Sequence, residues 1–259
     1  MNRLIPSFFL ILISLIFLNH IQASDTQKND KNLLIVSDPY CPYTCASGSE
    51  KQGYFVDFAK TALNPLGYKI DYQVMPWKRV LYLAEQGKVD AVLTVEKNDV
   101  SSLVVGKVAL AKTCQAIVTL ASDNSTWTGP ESFVGKKMGV INGYFYNTLI
   151  DNWLTSNSGD TLTRVSGNNA LEILLKMIAR KRIDATIADC NVAKITANQM
   201  DLDVNLKFHL TGYSSSLYIG IQKNRDDIDL ILDAIDSTYL EMEKDGRLKE
   251  LHQKYDISN

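Results

Sequence analysis

The chain lacks a dominant charge. Lys and Arg number 27 against 29 Asp and Glu, a formal net charge of −2. A nucleic-acid role needs a basic footprint, and this balance gives none. Histidine is scarce. Beyond residue 23 only His209 and His252 occur, without ligand-like spacing, so no metal site is expected. Nor do they build a Ser–His–Asp arrangement with any visible partner. Biased composition is absent too. With 46% hydrophobic and 22% charged residues in 259, disordered, collagen-like and coiled-coil classes are excluded. After the N-terminal segment no run is long and apolar enough to suggest a membrane span.

The N-terminal segment has its own logic. Met1-Asn2-Arg3 is a short basic start, residues 8–18 are apolar apart from Ser14, and Ala23 precedes Ser24. That order reads as a secretory signal peptide over residues 1–23, cleaved after Ala23. The apolar run is short for an anchor. The expected product is a soluble, exported protein. In an oxidising compartment the four cysteines, Cys41, Cys45, Cys114 and Cys190, read as disulfides. Three pairings are possible, and the sequence does not choose among them. Cys41–Cys45 with Cys114–Cys190 is the preferred one.

The rest alternates short β-type runs with amphipathic helical runs. Residues 33–36 read as a strand. A helix capped by Asp57 follows, with Phe58, Ala62, Leu63 and Leu66 on its apolar face and Gly67 as its stop. Residues 68–74 read as a strand, 77–85 as a helix and 90–95 as a strand. The rhythm recurs with strands at 137–141, 162–165 and 183–188 and helices through 149–153 and 169–181. A long helical tail spans 227–255. The fold class is therefore α/β, with two βαβ-type lobes joined by a two-strand hinge. The extended runs 116–120 and 216–221 are the expected hinge strands. Lobe 1 takes residues 24–115 plus 214–259, and lobe 2 takes 116–213. A crevice between such lobes, at the carboxyl ends of the strands, is the natural ligand site.

Four local patterns carry a resemblance. They are residues 53–59 (GYFVDFA), 83–91 (LAEQGKVDA), 134–140 (VGKKMGV) with its companion 179–185 (ARKRIDA), and 244–255 (KDGRLKELHQKY). In this order the chain resembles the periplasmic solute-binding proteins of ABC transporters, in the family that includes the polar amino-acid binders. The resemblance implies the type II periplasmic-binding-protein fold, no cofactor, and two lobes closing over a small polar solute, amino-acid-like or amine-bearing. It also implies a monomer in the periplasm and delivery to the membrane permease of an ABC transporter. The alternatives are a periplasmic sensory protein acting in trans and a lyase resembling cyclohexadienyl dehydratase. An enzyme would need a positioned acid or base, for which Asp38, Glu96 and Asp189 are available.

The family pattern places a ligand-ammonium partner at Asp189, which could equally cap the helix that follows. The usual carboxylate-binding Arg after the third strand is absent; Lys97 is the only cation in that stretch. Asp38, Tyr40 and Tyr43 follow the first strand, and Thr94 belongs to the third. Trp77 can present a ring to an apolar or cationic group. Gly143 and Tyr144 lie in a strand-to-helix turn, residues 142–146, whose N–H groups could hold an anion. The candidate ligand-binding set is Asp38, Tyr40, Trp77, Thr94, Lys97, Gly143, Tyr144 and Asp189, and Asp189→Ala is expected to weaken binding with little loss of fold.

Overall fold

In a computed structural model the chain builds two β-sheets flanked by helices; the structure describes residues 31–97, 99–157, 159, 161–200 and 206–257. The expected signal peptide lies outside the described residues. β1 (Lys31–Ser37), α1 (Tyr54–Leu63), β2 (Tyr68–Val74), α2 (Trp77–Glu85) and β3 (Ala91–Val95) form the first βαβαβ unit. β1 is central and pairs in parallel with both β2 and β3. β4 (Leu103–Val105) and β5 (Ala111–Lys112) are short edge strands that sequence reading missed, being too short to show a period. The chain then enters the second sheet with β6 (Gln115–Leu120). There β7 (Met138–Ile141), α3 (Thr148–Ser156), β8 (Leu162–Val165), α4 (Ala170–Ala179) and β9 (Ala185–Asp189) repeat the unit. After α5 (Cys190–Gln199) and β10 (Leu206–Leu210), β11 (Ser216–Gln222) returns to the first sheet. The sheet orders are β2-β1-β3-β11-β4 and β10-β6-β9-β7-β8.

Both expected hinge strands are ordinary sheet members. β6 lies between β9 and β10, and β11 lies between β3 and β4. Their apolar residues need two covered faces, which a bare crossing would not supply. The crossing itself is made by the polar segments 113–115 and 211–215. They bond to each other through Thr113 N to Ser215 O at 2.9 Å and Thr211 N to Gln115 O at 3.0 Å.

Alternation along β1 explains the layering of the first lobe. Leu33 and Ile35 face one cluster with Phe55, Phe58, Ile231 and Ile235, while Val36 faces the other with Val80, Ala84 and Val92. Phe55 and Phe58 are fully buried, so truncating either to Ala should cost about 3–5 kcal/mol. The second sheet is likewise covered on both faces, by Ile150 and Trp153 on one and Leu174 and Ile178 on the other.

The motifs behind the resemblance have structural reasons. Asp90 accepts the Leu34 amide at 2.8 Å, and Asp184 accepts the Lys137 amide at 2.7 Å. Each Asp thus tethers the start of its strand to the neighbouring one. Arg225 clamps Asp90 and Asp227 where the last helices begin. Gly53 has φ 117°, and a Cβ there would lie 2.5 Å from the Tyr43 carbonyl oxygen, so only glycine fits. Consequently α1 starts at Tyr54, a turn earlier than an Asp57 cap would allow. Asp57 instead accepts from Tyr255 Oη and Lys254 Nζ, both at 2.7 Å, and ties down the C-terminal helix. The expected single tail helix is two, α6 (Ile228–Asp245) and α7 (Arg247–Lys254), broken at the left-handed Gly246.

Candidate functional site

The carboxyl ends of β1 and β3 in one lobe face those of β7 and β9 in the other. Each pair flanks the point where strand order reverses, the usual ligand position in open α/β sheets. Two adjoining cavities of about 70 and 130 Å³ lie there, sharing Tyr40, Glu96, Thr113, Tyr144 and Phe145 as walls. A wider opening of about 740 Å³ forms the outer mouth and includes Lys78.

The loop after β1 is held rigid. Tyr40 N donates to Thr44 O at 2.7 Å, and Thr44 Oγ1 donates to Asp38 O at 3.0 Å. The Cys41–Cys45 disulfide closes the same turn. This fixes Asp38, only 6% exposed, at the crevice floor. Burial pushes its carboxyl up to about 6 despite a hydrogen bond donated by Tyr144 Oη. Since Asp38 belongs to the first lobe and Tyr144 to the second, that bond spans the crevice. Asn191 Nδ2 to Tyr43 Oη, at 3.3 Å, is a second bridge. Gly143 approaches Lys78 from the opposite lobe, so closely that a Cβ would sit 3.3 Å from the Lys78 Cβ.

Trp77 opens α2 and meets Tyr144 edge-on, with ring centroids 6.2 Å apart. Thr94 has φ 61°, a strained conformation for a β-branched residue, beside the pairing irregularity at Tyr218 and Ile219. Strain of this kind concentrates at binding sites. Asp189 ends β9 and caps α5. Its Oδ1 accepts the Asn191 and Val192 amides at 2.9 and 3.0 Å, and Oδ2 accepts the Cys114 amide at 2.7 Å. Burial nevertheless raises its pKa. A carboxylate offers about four acceptor positions, so one is left for a ligand. Asp189→Ala would remove the acceptor of three amides, one buried and two partly buried, so a stability cost is expected beside the loss of affinity.

Seven of the eight sequence-derived residues thus meet in the crevice walls: Asp38, Tyr40, Trp77, Thr94, Gly143, Tyr144 and Asp189. Lys97 does not join them. Its ammonium stands 5.3 Å over the Tyr218 ring, and its side chain is exposed. Tyr43 takes a structural place, while Tyr146 both lines the inner cavity and serves the turn. Tyr43 is packed in the first core, and Tyr146 Oη accepts the Ile141 amide at 2.9 Å. Within the 142–146 turn, Asn142 N donates to Val165 O, Tyr144 N to Ile141 O and Tyr146 N to Asp151, which leaves the Gly143 and Phe145 amides as the turn's donors toward an anion. Sequence reading missed Asp99, Phe145, Tyr213, Ser215 and the hinge residues Thr113 and Gln115 as walls. The polar character of the crossing segments was the available signal. Glu96, noted only as a spare acid, is a shared wall whose carboxylate accepts from Ser215 Oγ, and burial raises its pKa.

The preferred cysteine pairing is present. Cys114–Cys190 joins the crossing segment to the start of α5, with Cα atoms 5.4 Å apart. Among the described residues no cluster could hold a metal and no helix is long and apolar enough to cross a membrane.

Two sheets, paired crossing segments and a crevice between them make up the type II periplasmic-binding-protein fold. Residues 33–258 match the family of bacterial extracellular solute-binding proteins, family 3, and the chain belongs to it. No curated protein matches the chain in sequence. Solved structures similar to it include an ancestral arginine-binding protein bound to glutamine, 21% identical with TM-score 0.71, covering 88% of this chain and 98% of that one. Another is an L-cystine ABC transporter protein from Listeria monocytogenes, described as putative, at 18% identity and TM-score 0.69, covering 88% and 97%. A histidine kinase sensor domain is similar at 14% identity and TM-score 0.72, covering 88% and 97%. At such identities these structures speak for the fold alone.

Proposed function

We propose that this protein is an extracytoplasmic receptor that captures a small polar solute between its lobes and delivers it to an ABC transporter. The bond between Asp38 and Tyr144 carries the reading, because it couples the two lobes at the place where ligand would sit. A ligand that contacts both walls is bound fully only when they meet, so it shifts the population toward closure. Family membership and the likeness to transporter proteins support the delivery step. The reading includes cleavage after Ala23, a monomer, and lobes of residues 24–115 with 214–259 and 116–213. The inner cavities, smaller than the usual drug-sized pocket, favour a compact solute.

The test starts with protein purified without unfolding. Small molecules released by denaturation are identified by mass spectrometry and returned to the emptied protein in a thermal-shift assay. Binding should raise the melting temperature by mass action. Uptake of that solute should fall in cells lacking the protein. Unchanged uptake with a bound solute would favour a sensory role in trans, and turnover of the solute would favour a lyase. Finding no solute that stabilises the protein would defeat the reading.

A further inference from the structure

Resting on that reading, the geometry points to a solute class: we infer that the crevice takes an organic cation without a carboxylate, rather than a zwitterionic amino acid. The inner cavities are walled by four carboxylates, Asp38, Glu96, Asp99 and Asp189, with no Lys, Arg or His among the described lining residues. Lys97, the one cation just after β3, stands over Tyr218 outside them, and Lys78, beside Trp77, lines only the outer mouth. A ligand carboxylate in the inner cavities would therefore enter a group of like charges with no guanidinium or ammonium in the cavity walls.

Several lobe 2 backbone donors that could have met a carboxylate are already engaged. The amides at the start of α5 are taken by Asp189, and those before α3 by Asp151. Gln115 Nε2, a buried donor in the hinge, is used by Tyr146 O at 2.6 Å. The first turn of α2, which no side chain caps, is where a carboxylate would be held if one binds.

For a cation the same walls are complementary. Asp38 accepts from Tyr144 on one oxygen and Glu96 from Ser215 on one oxygen, so each keeps acceptor capacity for a ligand. Tyr40, Trp77, Tyr144 and Phe145 add aromatic rings, and a cation over such a face is attracted by its quadrupole. An ammonium that pairs with Asp38 and Glu96 would also offset the burial of their charges.

The test compares matched pairs that differ only in the carboxylate: agmatine with L-arginine, cadaverine with L-lysine, and putrescine with L-ornithine. Tetramethylammonium, glucose and succinate complete the panel, and dissociation constants are read by titration calorimetry. At least one amine should bind about tenfold or more tightly than its own amino acid, and Glu96→Gln should weaken it by a similar factor. An amino acid that binds as tightly as its amine in every pair overturns the inference, as does binding of glucose or succinate alone. Either result leaves the solute trap standing. Silence from the whole panel also overturns the inference, and the trap itself is then judged by the released-metabolite experiment.

Discussion

Asp38 should weaken the empty protein in order to hold its ligand. Its carboxyl is raised from 3.8 to about 6 by burial, a shift of about two units or about 3 kcal/mol. Between those values the native state binds more protons than the unfolded chain. Stability from this group is therefore present below about pH 4 and is lost as pH rises toward about 6. Asp38→Asn removes the charge and keeps an oxygen that can accept from Tyr144. At about pH 7.5 the variant should be more stable than the parent by about 2–3 kcal/mol, less than the full shift because a neutral acceptor bonds more weakly. Near pH 4 the difference should almost vanish. Urea unfolding at both pH values measures it, and other titrating groups cancel in the comparison. The same variant should lose affinity for a cationic ligand. A gap independent of pH, or a variant less stable at neutral pH, would refute the reasoning.

Three other outcomes are open to measurement. Gly143→Ala, at φ 91° and against Lys78, should cost about 1–2 kcal/mol, mostly in the closed form. Ligand affinity should drop, and X-ray scattering should show a larger radius of gyration with ligand present. Removing Cys114–Cys190, 76 residues apart, should cost about 4 kcal/mol, against about 2 for Cys41–Cys45, four apart; denaturant unfolding of the two double Ala variants checks the order. Lys181 has φ 55° where the first lobe has Gly87 at 62°. Lys181→Gly should stabilise by about 0.5–1 kcal/mol, read as a raised melting temperature with unchanged binding.

Two alternating halves and most elements of the fold were legible in the chain because they depend on local order. Apolar residues at helical or strand spacing bury one face wherever the chain places them, and Val89-Asp90-Ala91 and Ile183-Asp184-Ala185 mark corresponding strand starts. The loop after the first strand, Trp77, the 142–146 turn and Asp189 were likewise legible as crevice residues, since the carboxyl ends of parallel strands must share one edge. Tertiary structure alone decided the rest. It put the apolar runs 116–120 and 216–221 inside the sheets and left polar segments to cross between lobes. It joined Asp38 to Tyr144 across 106 residues of chain, turned Lys97 outward, and used the amides before α3 and α5 internally. These outcomes depend on which groups from distant segments compete for one charge or one hydrogen bond, and a linear pattern carries no distances.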